Sequence, residues 1–114
     1  MNAEKPDKPK KKRAQQVYTL LVELGRHEND GLPDGATGAA LMCYASGVDE
    51  AEAVRETVAI LRQADMAPLD VTGYGTLDER LKEGHEVSAE ERALMNRALA
   101  ENSVIVAQLT PFFD

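Results

Sequence analysis

The chain has 114 residues and a mass of 12.4 kDa, a length that favours one compact domain. Hydrophobic residues make up 43% of it and charged residues 29%, which excludes a wholly disordered chain. Six basic and two acidic side chains give residues 1–13 a charge of +4, while seven basic and 18 acidic ones give the remainder −11. A body that acidic repels phosphate, so we expect neither nucleic acid nor a membrane as a partner.

The cysteine content and the lengths of the apolar runs limit the cellular compartments that we expect for the protein. The single cysteine, Cys43, excludes an internal disulfide and a multi-cysteine metal site. The longest strongly apolar run, residues 39–45, is far shorter than the roughly 20 residues that a bilayer span needs. Residues 17–22 follow basic residues but have no cleavage site after them, so we expect no signal peptide. These features predict a cytoplasmic protein.

The first half of the chain predicts a basic arm, two strands and a loop. Residues 1–14 have nothing large to bury and predict a disordered arm, followed by a single domain over residues 15–114. Residues 16–24 alternate as a strand. One face takes Tyr18, Leu20, Val22 and Leu24, and the other takes Val17, Thr19, Leu21 and Glu23. The glycine-rich residues 25–38 predict a loop, and residues 39–45 predict a buried strand.

Three capping patterns predict helices. They begin at Asp49, Thr76 and Ser88, each with a glutamate three positions later. The first predicts a helix that ends near residue 65 and buries an apolar stripe. The second predicts a short helix to residue 81, and the third predicts a longer helix to about residue 101.

Two further strands complete the predicted fold. Residues 69–74 alternate as a half-buried strand, and the β-branched residues 103–109 predict a final strand that Pro111 ends. The first two strands should be antiparallel. If right-handed crossovers join the strands that flank each main helix, both helices lie on one face of a mixed four-stranded sheet. The predicted class is therefore α+β, a two-layer α/β sandwich close to the ferredoxin-like shapes, although its element order differs from theirs.

Three side chains are candidate ligand-binding residues. Tyr74 lies between two glycines, where backbone can approach a ligand, and His85 lies between two glutamates, where it can act as a base or a pH sensor. Tyr44 lies in the apolar strand before the first helix. A pocket near these three residues would suit a small-ligand sensor or a small enzyme. A strand end at Tyr74 and a surface connector at His85 are the alternative interpretations.

Other polar groups favour structural roles. His27, Glu28, Asp30 and Asp34 supply oxygen-rich side chains to the first loop, but their spacing fits no cation motif and favours a solvated loop. Cys43 has no basic neighbour in its strand, which favours a core position. No nucleotide-binding glycine motif is present. We therefore expect no cofactor and no metal, and the sequence leans away from an enzyme.

The leading hypothesis is a small cytoplasmic, non-enzymatic protein-interaction or regulatory domain that forms a homodimer. Val17 and Leu21 lie on the second face of the first strand, which we expect the helices to leave open. Phe112 and Phe113 end the last strand. Exposed apolar side chains of this kind mark contact surfaces, so these four residues are the candidate interface. The basic arm is expected to aid solubility and to contact an acidic partner.

Overall fold

The computed structural model describes residues 14–114, so the predicted disordered arm lies outside the described residues apart from Ala14. Four strands and three helices follow one another within residues 14–114. They are β1 (Gln16–Leu24), β2 (Gly38–Gly47), α1 (Glu50–Gln63), β3 (Pro68–Thr76), α2 (Leu77–Lys82), α3 (Ala89–Glu101) and β4 (Val104–Phe112). The predicted α+β class, with its four-stranded sheet, is confirmed. Within this range, no helix has the length and apolar character that a membrane span requires.

The sheet has the strand order β3-β1-β2-β4. The predicted antiparallel pairing of the first two strands is confirmed, with Leu20 opposite Cys43. The predicted mixed sheet is wrong, because β1–β3 and β2–β4 are antiparallel pairs as well. The strands β2 and β3 therefore run in the same direction on either side of β1, with α1 crossing between them. The final strand β4 runs opposite to β3, so the chain from β3 to β4 is not a parallel crossover.

Helix α1 covers one face of the sheet. Its Asp49 cap accepts a hydrogen bond from the Glu52 amide at 2.8 Å, and two glutamates in the first turn complement the helix dipole. Ala53, Thr57 and Leu61, each four residues from the last, form the buried stripe. This stripe packs on the alternate side chains of β1 and β2. The core on this face includes Tyr18, Leu20, Val22, Leu24, Leu41, Cys43 and Ala45.

Helix α3 covers part of the opposite face. Its Met95 and Ala98 pack against Val17 of β1 and Tyr44 of β2 in a second apolar cluster. The prediction that both main helices share one face is therefore wrong. The connection from β3 must reach β4 at the far edge of the sheet, and it crosses the face that α1 leaves free. Val17, a predicted interface residue, is consequently 8% exposed beneath the helix of its own chain.

The rest of this second face is uncovered by α2 and α3. The register places Leu21 beside Met42, Glu23 beside Ala40, and Phe112 beside Gly38 on this side of the sheet. Met42 packs against the cluster beneath α3. Beyond it, Leu21 and Ala40 are half-buried, and Phe112 is exposed. We call Leu21, Ala40 and Phe112 the open half-face. A shallow cavity of about 160 Å³ lies there, lined in part by Leu21, Ala40 and Phe112.

The last strand is longer than predicted. Pro111 does not end it, because β4 continues to Phe112 with Pro111 opposite Ala39. Proline removes one amide donor, which an edge strand tolerates because one of its sides faces solvent. The strand β4 is such an edge, paired with β2 alone among the strands of residues 14–114.

Replacing Met95 with alanine tests the packing of α3 on the sheet. Met95 is 3% exposed, so Met95→Ala should lower the free energy of unfolding by about 2–4 kcal/mol through lost burial and a cavity. Leu99, on the same helix, is 41% exposed, and Leu99→Ala should cost less than about 1 kcal/mol. Urea unfolding followed by circular dichroism measures both. Equal small losses would contradict the packing described for α3.

Candidate functional site

A hydrogen-bonded polar cluster lies where α2 and α3 meet the sheet. At its centre is Arg80, which is 9% exposed. One guanidinium nitrogen donates to Thr19 Oγ1 at 3.1 Å and to Glu91 Oε1 at 3.2 Å, and the Nε–H donates to His85 Nδ1 at 3.2 Å. The Tyr44 hydroxyl donates to the same Glu91 oxygen at 2.7 Å. We call these five residues the Arg80 network.

Local helix signals place the two charged members of this network. Thr76 and Glu79 form a complete capping box that starts α2 directly after β3, which places Arg80 one turn into the helix against β1. Ser88 and Glu91 form the second complete box, at the start of α3. In that box Glu91 Oε2 accepts from the Ser88 amide, so Oε1 remains for Tyr44 and Arg80.

The charges in the network are matched. Burial raises the pKa of Tyr44 to about 12, and the hydrogen bond that its hydroxyl donates to the Glu91 carboxylate contributes to the rise. The same hydrogen bond, together with Arg80, lowers the pKa of Glu91. At neutral pH, Tyr44 is therefore a neutral donor between a carboxylate and a guanidinium that already bind each other. Groups satisfied in this way fix α2 and α3 on the sheet.

The exposed side of the network is an aromatic pair. Tyr74 and His85 meet edge to face, with ring centroids 6.4 Å apart. His85 Nδ1 accepts from Arg80, so the proton of the neutral ring belongs on Nε2, which lies 3.8 Å from Glu83 Oε1. Tyr74 is 38% exposed, so the pair presents a ring edge and one imidazole donor to solvent.

The three predicted ligand-binding residues are connected, although they lie on two strands and a loop. Tyr44 is linked to His85 through Glu91 and Arg80, and Tyr74 contacts His85 alone among these residues. Arg80 and Glu91, which join them, were not predicted, because a charge on a short helix and a glutamate in a capping box both look like solvated residues. For Glu91 a signal was available, because the three-residue step from Ser88 directs its side chain back to the start of α3. Arg80 lies one residue beyond the box of Thr76 and Glu79, so no such signal exists for it.

Tyr44 itself is closed to ligands. It is 2% exposed, and its hydroxyl is already bound to Glu91. Its neighbour Cys43 is fully buried, and burial raises the pKa of that thiol to about 11, which confirms the predicted core position and leaves an unreactive thiol. One cavity of about 190 Å³ lies between α3 and the starts of β1 and α2, and another of about 200 Å³ lies between α1 and residues 102–104. Tyr44, Tyr74 and His85 line neither of them.

The candidate cation loop is held together by its own carboxylate. Asp30 is 4% exposed, and it accepts hydrogen bonds from Arg26 Nε at 3.0 Å and from the amides of His27 at 2.8 Å and Leu32 at 2.9 Å. These donors lower the pKa of Asp30 to about 2. Across residues 14–114, no three side chains of His, Cys, Asp or Glu are grouped as a metal would require.

Removing the central guanidinium tests the Arg80 network. Arg80→Met should lower the free energy of unfolding by about 2–3 kcal/mol, because Glu91 and Thr19 lose a charged donor in a largely buried place. The matched control is Arg97→Met, which breaks an exposed pair with Glu101 and should cost less than about 0.5 kcal/mol. Urea unfolding at neutral pH provides the comparison, and equal losses in the two variants would refute a central role for Arg80.

The loop carboxylate gives the stability a defined pH dependence. Because the pKa of Asp30 is lowered, its carboxylate stabilises the fold fully at pH values above its ordinary pKa of 3.8. This contribution is lost as the pH falls towards about 2. Asp30→Asn should therefore be less stable than the wild type at pH 6, and the difference should shrink between pH 4 and pH 2. Urea midpoints across this range measure it; a difference that does not change with pH would contradict the assignment.

Comparison with known proteins yields one match. A family model described as a domain of unknown function (DUF8846) matches residues 17–113. No curated protein and no solved structure matches the chain. The matched range begins within β1 and ends just after β4, so it includes the whole Arg80 network and the open half-face. Since the family model matches most of the chain's length, the chain belongs to the DUF8846 family.

Proposed function

We propose that this protein is a small, non-enzymatic protein-interaction domain that acts as a homodimer in the cytoplasm. The observation that carries the proposal is where the exposed apolar side chains lie. Val106, Leu109, Phe112 and Phe113, all between 39% and 57% exposed, fall within one short stretch at the end of the chain. Phe112 is part of the open half-face and Phe113 follows it, whereas Val106 and Leu109 lie on the side of β4 that α1 covers. Exposed apolar side chains gathered along one edge strand in this way are typical of a contact site.

The chemistry of the buried polar groups supports a binding role over a catalytic one. Tyr44 and Arg80 donate their hydrogen bonds within the domain, Asp30 holds its own loop, and Cys43 lies in the core. A catalytic nucleophile or base needs access to substrate and a pKa suited to the working pH. The raised pKa values of Tyr44 and Cys43 suit neither role at neutral pH.

The proposed interface keeps three of the four residues expected from the sequence. Leu21 lies in the open half-face, and Phe112 and Phe113 lie at the end of β4, whereas Val17 is covered by α3. Burying an exposed Leu or Phe side chain fully is worth about 1.5–3 kcal/mol, so a second copy that covers such residues recovers a large free energy. The closed point symmetry that most oligomers adopt makes a dimer the simplest assembly.

We also propose that the fold is a close neighbour of the ferredoxin-like shapes. The support is the unit β2-α1-β3, in which the helix joins two strands of the same direction that enclose β1. Such a split β-α-β unit is the repeating element of ferredoxin-like domains. The final strand β4, added beside β2, distinguishes this chain from them.

A small-ligand sensor is the second candidate function. The specific observation that favours it is the convergence of Tyr74 and His85 beside Arg80, with one imidazole donor open to solvent. Such a site would suit a small planar or anionic ligand. Native mass spectrometry of the purified chain distinguishes the two functions, because it records a dimer mass in one case and a retained small molecule on a monomer in the other.

The homodimer is testable in solution. Sedimentation equilibrium of the full chain at up to about 100 μM, a working range for moderate affinities, should give twice the monomer mass of 12.4 kDa. Phe113→Ser should raise the dimer dissociation constant about tenfold or more, since it removes an aromatic anchor from each copy. Leu69→Ser, at a 65% exposed side chain on the opposite edge, is the control and should leave it unchanged. A wild-type monomer at the highest concentration would overturn the proposal.

A further inference from the structure

The two edges of the sheet differ in how well they are protected. The β3 edge begins with Pro68, carries the charged Asp70, and shifts register against β1 at two points. It also contains Gly75 at a φ of +89°, and α2 begins directly after Thr76. Charges, prolines and irregular pairing are the features by which natural edge strands avoid pairing with another chain. The β3 edge is therefore poorly suited to accept one.

The β4 edge has little of this protection. Between Val104 and Phe112 there is no charged residue, in a chain that is 29% charged. The strand pairs with β2 along its length with a single register shift, and Pro111 removes one donor. Its other side has no strand partner among residues 14–114. Nine residues of uncharged backbone are thus available for pairing.

Apolar side chains extend from both faces of this edge. Val106 and Leu109 lie opposite Cys43 and Leu41, on the side of the sheet that α1 covers, yet they remain 47% and 39% exposed. Phe112 lies on the other side and is 40% exposed. A strand added beside β4 would cover apolar side chains on both faces as well as the free backbone groups.

We infer that β4 pairs antiparallel with β4 of a second copy of this chain, which joins the two sheets into one of eight strands. The inference rests on the proposed homodimer and narrows its interface to the β4 edge, which leaves Leu21 outside the contact. Two bodies of −11 repel each other, so two copies can approach only through a segment without carboxylates, and β4 is such a segment. Antiparallel pairing about a two-fold axis also makes one strand its own complement.

Charge substitutions on β4 test this arrangement in the full chain. Val106→Lys and Leu109→Lys place a cation on the edge in both copies, so each should raise the dimer dissociation constant about tenfold or more. Leu81→Lys, on α2 and 41% exposed, is the matched control and should leave the constant unchanged. Leu21→Lys probes the open half-face and should change the dimer dissociation constant by less than about threefold. Far-UV circular dichroism confirms folding, and sedimentation equilibrium gives the constants.

Hydrogen exchange supplies a second measurement that needs no variant. If β4 pairs with its copy, the amides of β4 should gain protection as the protein concentration rises, and those of β3 should not. A dimer that both β4 variants leave intact, or one that Leu21→Lys alone breaks, would overturn the strand pairing while the homodimer stands. A wild-type chain that stays monomeric would overturn both.

Discussion

The structure depends on a central strand whose residues 17–20 are enclosed on every side. The strand β1 is hydrogen-bonded to β2 on one side and to β3 on the other, and its residues 17–20 are all buried. One of them, Thr19, carries a hydroxyl into the second face. A buried hydroxyl needs a partner, and Arg80 supplies it. The guanidinium in turn needs a carboxylate, so Glu91 must lie beside it. The buried hydroxyl of Thr19 in β1 thus constrains how α2 and α3 cross the sheet.

Local elements were predictable because they rest on short-range chemistry. Strand β1 occupies the predicted residues 16–24, since alternation of β-formers is readable without the rest of the fold. All three predicted capping patterns start helices, because a cap depends on side chains only three residues apart. The ends were less accurate. Pro111 does not stop β4, since whether a proline is tolerated depends on which strand lies at the edge.

The arrangement of the elements was harder to predict because strand direction is a long-range property. Right-handed crossovers place a helix only between parallel strands, and nothing near residues 103–109 shows that β4 runs opposite to β3. Because β4 runs opposite to β3, α3 lies on the other face of the sheet and covers Val17. The same limit applies to the candidate site. Tyr74 and His85 were predicted from their chemistry and their sequence neighbours. The roles of Arg80 and Glu91 depend instead on the hydrogen bond between them, which joins residues 11 positions apart.

Glu91 links the capping of its helix to the attachment of that helix to the sheet, and these two interactions are separate in α1. Asp49 caps α1 through a bond that any local helix can form, so α1 can begin without its sheet. Glu91 instead closes the capping box of α3 with one oxygen and holds Tyr44 and Arg80 with the other. Detaching α3 from the sheet therefore also weakens the capping box that stabilises its first turn. As a result, opening of this helix should be a single cooperative step, in which its start and its attachment to the sheet are lost together.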